Sequence, residues 1–248
     1  MAQDGRQQDK KVALITGANR GLGLETAKQL GEQGVSVVLG ARKLAAAEEA
    51  AGNLKSQGID AHGVQLDVVN EADRAAVAIY LASHFGKLDI LINNAGIGSS
   101  TGLGNVTSAV TDEDLVTVFN TNFFSVVALT RELLPLLQKS PAGRIVNLSS
   151  ILGSLTLHSS PEGLGVMPFA YDASKSALNA FTIHLAKELA GTAVKVNSAH
   201  PGWVKTELGT AAAPMEIPDG AKTSVSLALL DANGPSGKFF HLDKELPW

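Results

Sequence analysis

Val12-Ala13-Leu14-Ile15-Thr16-Gly17-Ala18-Asn19-Arg20-Gly21-Leu22-Gly23 decides how the rest of this 248-residue chain is read. A short apolar run enters a turn with three glycines, and a helical pattern follows over residues 22–33. That is a strand, a tight turn and a helix. Glycines let backbone N–H groups approach a pyrophosphate, which then rests on the helix N-terminus. Gly17, Asn19, Arg20, Gly21, Leu22 and Gly23 are therefore candidate cofactor-binding residues. The plainer alternative is a loop with three glycines, and the strand-to-helix position speaks against it. The spacing is Gly-x-x-x-Gly-x-Gly rather than the commoner Gly-x-Gly-x-x-Gly.

Outward from this turn, short apolar runs alternate with longer helical patterns, as stacked βαβ units require. Strands are expected at 12–15, 35–39, 62–66, 88–92, 144–148, 193–199 and 238–241. The fourth is nearly all apolar, as suits a strand buried on both faces. Helices are expected from 22 to 33, from the early forties to about 57, and over 71–84. A long helix should start at the capping box Thr111-Asp112-Glu113-Asp114 and run to about Lys139, with Pro135 kinking it or ending it early. Residues 151–169 read as a Gly/Ser/Pro-rich loop, and the helix with Tyr171 and Lys175 comes next. A variable segment, 207–222, leads to a short helix near 223–230. The expected fold is a single-domain, Rossmann-type doubly wound parallel sheet of about seven strands with helices on both faces. Residues 11–248 form that domain, and 1–10 read as a flexible tail.

Composition narrows the function. Hydrophobic residues make up 45% and charged residues 18%, an ordinary globular mixture. The net charge of −4, with no basic stripe, speaks against nucleic-acid partners. No cysteine is present, which excludes disulfides and thiolate metal sites, and the six histidines are scattered, so no metal is expected. The N-terminus lacks the apolar core of a signal peptide, and no run approaches the ~20 apolar residues that span a bilayer. The chain is expected to be cytoplasmic and not membrane-bound.

Cofactor choice is read from charge. A site for NAD usually places a carboxylate after the second strand, where it binds the ribose 2′-hydroxyl. Here that strand ends Leu39-Gly40-Ala41-Arg42-Lys43. Arg42 suits a 2′-phosphate, with Arg20 approaching the same group, so NADP(H) is preferred and NAD(H) is the lesser alternative. Asn94, Ala95 and Gly96 end the fourth strand, where small residues let backbone lie against a ligand, although an Asn/Gly turn would look the same. Asp67 and Val68 either face an adenine ring or cap the next loop.

Tyr171-Asp172-Ala173-Ser174-Lys175 places a phenol and an ammonium one helical turn apart. A free tyrosine loses its proton near pH ~10, and a nearby cation favours the phenolate. On its own this spacing is common on ordinary helices. In company it is not.

The Gly-x-x-x-Gly-x-Gly turn, Asn93-Asn94-Ala95-Gly96, Asn122, Ser149-Ser150, Tyr171-x-x-x-Lys175 and Pro201-Gly202 occur in the order seen in short-chain dehydrogenases/reductases. The chain resembles that superfamily from about Lys11 to its C-terminus. Thr121-Asn122-Phe123-Phe124, the run Pro201-Gly202-Trp203-Val204-Lys205-Thr206, and a tail ending in Pro247-Trp248 look most like its carbonyl-reductase branch.

The resemblance implies an enzyme that interconverts a carbonyl and an alcohol on a small molecule. It implies that Tyr171 is the proton donor and acceptor, and that Ser150 orients the substrate oxygen. Lys175 would contact the nicotinamide ribose and lower the tyrosine's pKa, and Asn122 would anchor a water. Pro201, Gly202, Val204 and Thr206 would border the nicotinamide; a helix N-cap is the other reading of Thr206. A noncatalytic NADP sensor or scaffold on the same fold is the alternative function. Twenty residues separate Ser150 from Tyr171, more than the family usually has, which leaves both monomer and homo-oligomer open. Leu155, Leu157, His158, Met167, Phe169 and Trp203 are candidate pocket lining, and His158 otherwise reads as a surface loop histidine.

Overall fold

Alternate residues of one strand point to opposite faces of a sheet, so a strand apolar at every position needs cover on both. The first strand, β1 (Val12–Thr16), is buried at all five positions in the computed structural model, which describes residues 10–99, 107–165 and 168–248. Val12 and Leu14 enter one core cluster, and Ala13 and Ile15 the other. The same holds around it in β2 (Ser36–Ala41) and β4 (Ile90–Asn93). β3 (Ala61–Gln65) lies at the sheet edge and is only partly buried.

The remaining strands are β5 (Arg144–Leu148), β6 (Lys195–Ala199), β7 (Lys238–His241) and β8 (Lys244–Glu245). Their order is β3-β2-β1-β4-β5-β6-β7-β8, parallel throughout except for β8. The protein is thus a single α/β domain with one strand more than expected. β8 is two exposed residues pairing antiparallel with β7, too short to leave an apolar signature.

Helices α1 (Gly21–Glu32), α2 (Leu44–Ser56) and α8 (Ile217–Ala228) cover one face through Ala27, Leu30, Ala51, Leu54 and Leu227. On the other face lie α3 (Glu71–His84), α5 (Ser125–Leu137) and α7 (Phe169–Glu188), contributing Leu81, Leu129, Leu133 and Leu185. The chain runs outward from β1 to β3 and then returns to β4 on β1's other side. That reversal opens a crevice at the carboxyl ends of β1 and β4, where open α/β sheets bind ligands.

Three expectations need correction. The long helix is divided into α4 (Asp112–Phe119), a π-helical turn (Asn120–Phe124) and α5. Pro135 lies inside α5, which continues to Leu137; Pro135 and Arg131, whose carbonyl loses its donor, are both exposed near the helix end. Thr111 does cap α4, accepting from the Asp114 N–H at 3.1 Å. The loop 151–169 holds a 3-10 turn (Ile151–Gly153) and a short helix, α6 (Leu155–His158). Finally, α8 starts at Ile217, since Pro218 falls in its first turn, where a missing N–H costs nothing.

Candidate active site

The glycine turn is held shut by its neighbours across the crevice. Thr16 Oγ1 accepts from the N–H groups of Asn94 (3.0 Å) and Ala95 (2.9 Å), while Asn94 Nδ2 donates to the carbonyls of Thr16 (2.7 Å) and Gly17 (3.2 Å). A Cβ at Gly23 would lie 2.5 Å from Asn94 Nδ2, so only glycine admits this contact. Gly17 and Gly21 have φ of +64° and +57°, the left-handed region. Asn94 therefore closes the turn with its side chain, and Gly96 follows it into the crevice.

The N-terminus of α1 fits a phosphate group. Arg20 stands at the cap position with no side-chain capping bond, and the first turn carries no acidic residue. Its N–H groups and positive dipole end face the crevice without an internal counterpart. Arg42 lies exposed just past the end of β2. The Arg20 guanidinium pairs with Glu207 at 2.5 Å. Asp67 Oδ1 accepts from the Val69 N–H at 3.3 Å, which is the loop-capping reading, and the neighbouring Val68 is buried.

The segment after β6 lies over the turn. Val204 is buried against α8, where a Cβ at Gly220 would come within 2.5 Å of it. Thr206 starts no helix; its Oγ1 accepts from the Gly209 N–H at 3.0 Å and caps a tight turn. Its methyl sits 3.9 Å from a Cβ built on Gly21, so this turn borders the glycine loop. Pro201 and Gly202 lead into it, Gly202 with φ of +89°.

Asn122, Ser150, Tyr171 and Lys175 converge at the carboxyl edge of β4 and β5. Asn122 sits in the π turn, fully buried, with both ends of its side chain engaged: Oδ1 accepts from Ile97 N–H (2.9 Å), and Nδ2 donates to Ile97 O (2.9 Å) and Ser174 Oγ (3.1 Å). Ser150, just after β5, caps the 3-10 turn by accepting from Leu152 N–H at 3.2 Å, and its hydroxyl is near enough to the Tyr171 phenol to favour its ionised form. Lys175 is buried, its Nζ donating to the Leu148 carbonyl at 2.7 Å and lying 5.5 Å from the Tyr171 ring centre. A Cβ on Gly96 would stand 3.3 Å from Asn122 Oδ1 and 3.6 Å from Lys175 Nζ, so the glycine keeps this corner open.

The electrostatics differ from the expectation that Lys175 lowers the tyrosine's pKa. Burial pushes the Tyr171 phenol up to about 12; the Ser150 hydroxyl works against this and the Asp172 carboxylate adds to it. Burial also brings Lys175 down to about 8. Desolvation, which penalises both charged forms, is the largest cause of each shift. The phenol holds its proton at neutral pH.

Spacing left several neighbours unassigned. Thr16 belongs to the strand yet pins the turn with its hydroxyl. His200, pushed down to about 3 by burial and next by His241, stays neutral and accepts from the Ile151 N–H at 3.2 Å. His158 is not a surface side chain: it is half-buried, 3.5 Å from Asp172. Of the other candidate lining residues, Leu155 (67% exposed), Phe169 and Trp203 (53%) are open to solvent, Leu157 is half-buried and Met167 falls outside the described residues.

Comparison with known proteins agrees with this geometry. Residues 11–217 match the short chain dehydrogenase family. The chain belongs to that family. Within it, the chain falls in the carbonyl-reductase-like branch. It is 33% identical to carbonyl reductase [NADPH] 1 of Sus scrofa, over 96% of this chain and 94% of that protein. It is also 33% identical to (-)-isopiperitenone reductase of Mentha piperita, over 96% and 98% of the two chains. The structure of an NADPH-bound carbonyl reductase from chicken fatty liver superposes with a TM-score of 0.83 at 27% identity, covering 96% of this chain and 99% of that one. This family member is therefore an oxidoreductase, and no described helix is long and apolar enough to cross a membrane.

Proposed function

We propose that the protein is an NADP(H)-dependent reductase that interconverts a small-molecule ketone or aldehyde and its alcohol, with Tyr171 as the general acid/base. The observation that carries this is the meeting of Ser150 and Tyr171 beside an uncapped α1 N-terminus, with Arg42 open at the end of β2. The N–H groups of α1 would receive the pyrophosphate, Arg42 the 2′-phosphate, and Thr206 with Val204 would border the nicotinamide. When bound, NADPH supplies the hydride.

Negative charge then gathers on the substrate oxygen. Ser150 is placed to donate a hydrogen bond to that oxygen, and Tyr171 to pass it a proton. A phenol that keeps its proton at neutral pH is always loaded for this step. Lys175, fixed on the Leu148 carbonyl, would contact the nicotinamide ribose, and Asn122 braces the strand-end loop at Ile97 against α7 through Ser174. Gly17, Asn19 and the stretch Gly21–Gly23 shape the pyrophosphate cradle that Asn94 and Ala95 close.

Dissociation constants for NADPH and NADH, measured by fluorescence titration, test the cofactor assignment. NADPH should bind at least tenfold more tightly, and Arg42→Asp should erase that preference. Equal affinity in the unaltered protein contradicts the assignment. NADPH binding without turnover across a panel of ketones and aldehydes would make the protein a cofactor sensor.

A further inference from the structure

The peptide that leaves Ser150 is held at both ends. Its carbonyl accepts from the Gly153 N–H at 2.8 Å, and its N–H, that of Ile151, donates to His200 Nδ1 at 3.2 Å. His200 is 9% exposed and follows β6 directly, just before Pro201 and Gly202. An imidazole nitrogen that accepts from a backbone N–H carries no proton, so the His200 proton sits on Nε2.

We propose that His200 is a positioning residue for Ser150: its Nδ1, by holding the Ile151 N–H, fixes the Ser150–Ile151 peptide and so aims the Ser150 hydroxyl at the substrate oxygen. The inference rests on reading Ser150 as the donor to that oxygen.

A peptide is planar, so holding its N–H and its carbonyl together fixes the whole unit. Ser150 stands extended on that unit, with ψ of 152°. Rotation about its Cα–C bond is thereby stopped, and its side chain keeps one direction. Ser150 Oγ also accepts from the Leu152 N–H at 3.2 Å, which leaves the hydroxyl proton to donate.

The acceptor is itself mounted on the sheet. The His200 N–H donates to the Phe240 carbonyl at 2.7 Å, and the His200 carbonyl accepts from His241 Nδ1 at 3.0 Å. Phe240 and His241 belong to β7, and the two imidazole rings lie 4.9 Å apart. Burial, and next His241, keep a second proton off His200, where it would set N–H against the Ile151 N–H.

Support of the 3-10 turn is the simpler role, but the turn is already secured at its far end. Ser176 Oγ (3.1 Å) and Asn179 Nδ2 (3.2 Å) both donate to the Gly153 carbonyl. A Cβ on Gly153 would stand 2.8 Å from the Lys175 backbone, so the turn already lies flush on α7. The His200 contact sits at the near end, on the peptide next to the hydroxyl.

A double-mutant cycle with Ser150 separates the two roles. His200→Leu removes the acceptor and should lower kcat for NADPH-dependent carbonyl reduction about tenfold or more, the scale of a misplaced catalytic group. In the Ser150→Ala background the same change should cost less than about twofold, because no hydroxyl is left to aim. His200→Asn places Oδ1 on the carbon that carried Nδ1, and should restore kcat to within about threefold of the parent. Unchanged kcat in His200→Leu overturns the proposal, as does an equal loss in both backgrounds, which would mark support of the turn alone. Nitrogen NMR of the unaltered protein tests the contact without any variant. At neutral pH His200 should be uncharged with its proton on Nε2, and a proton on Nδ1 overturns the proposal. Ser150→Ala at the parent rate would sink the donor reading and this inference with it. A slow Ser150→Ala beside a full-rate His200→Leu overturns this inference alone.

Discussion

The cofactor end and the substrate end of the crevice are built from different materials. At the glycine turn the work is done by backbone: carbonyls of Thr16 and Gly17 receive the Asn94 amide, two backbone N–H groups share Thr16 Oγ1, and glycines occupy positions where a Cβ has no room. Elsewhere Leu155, Phe169 and Trp203, candidate pocket lining, expose large apolar side chains to solvent. A site made of backbone is shaped once for a fixed ligand. A rim of loose side chains can be exchanged, and with it the substrate. Ser150 and Tyr171, the proposed catalytic pair, stand at the end of β5 and on α7.

The sharpest way to break this contrast is at Gly23. Gly23→Val drives a branched side chain into Asn94 and Gly17, costing about 1–3 kcal/mol in overpacking and opening the turn. NADPH affinity should fall by more than about a hundredfold, measured by titration alongside thermal unfolding. Intermediate effects belong at Asp172. Its carboxyl is raised to about 6 from an ordinary 3.8, chiefly by burial and against the pull of His158, so the folded state favours the protonated form. Stability therefore falls as pH rises from about 3.8 through 6, and Asp172→Asn escapes this loss. The variant should be more stable by about 2–3 kcal/mol at pH 8 and no more stable at pH 3.5, read from denaturant midpoints. The smallest effect is expected at Leu155→Ser, within about 0.5 kcal/mol of the parent in stability. A severalfold change in KM with kcat retained would place it on the substrate rim.

The contrast also explains what could be read from the chain before its structure. The strands β1, β2 and β4 show themselves because burial on two faces forces uninterrupted apolar runs, whereas β8 is two exposed polar residues with nothing to reveal them. The turn is legible because close approach of backbone demands glycine at Gly23 and a left-handed conformation demands it at Gly17 and Gly21. The π turn at Asn120–Phe124 has the periodicity of the helices that flank it, so its extra residue is silent. Pro218 resembled a loop residue but opens α8. At the site, Ser150, Tyr171 and Lys175 are read from residue type and order. The balance that sets their proton affinities depends on burial, which is not written in spacing.

Tyr171→Phe tests the central claim most directly, through NADPH-dependent carbonyl reduction measured beside NADPH binding on the same preparation. The account predicts that binding stays within about twofold while kcat falls by about a hundredfold or more, the usual contribution of a general acid. Turnover retained at the parent rate, with the cofactor bound, would contradict it.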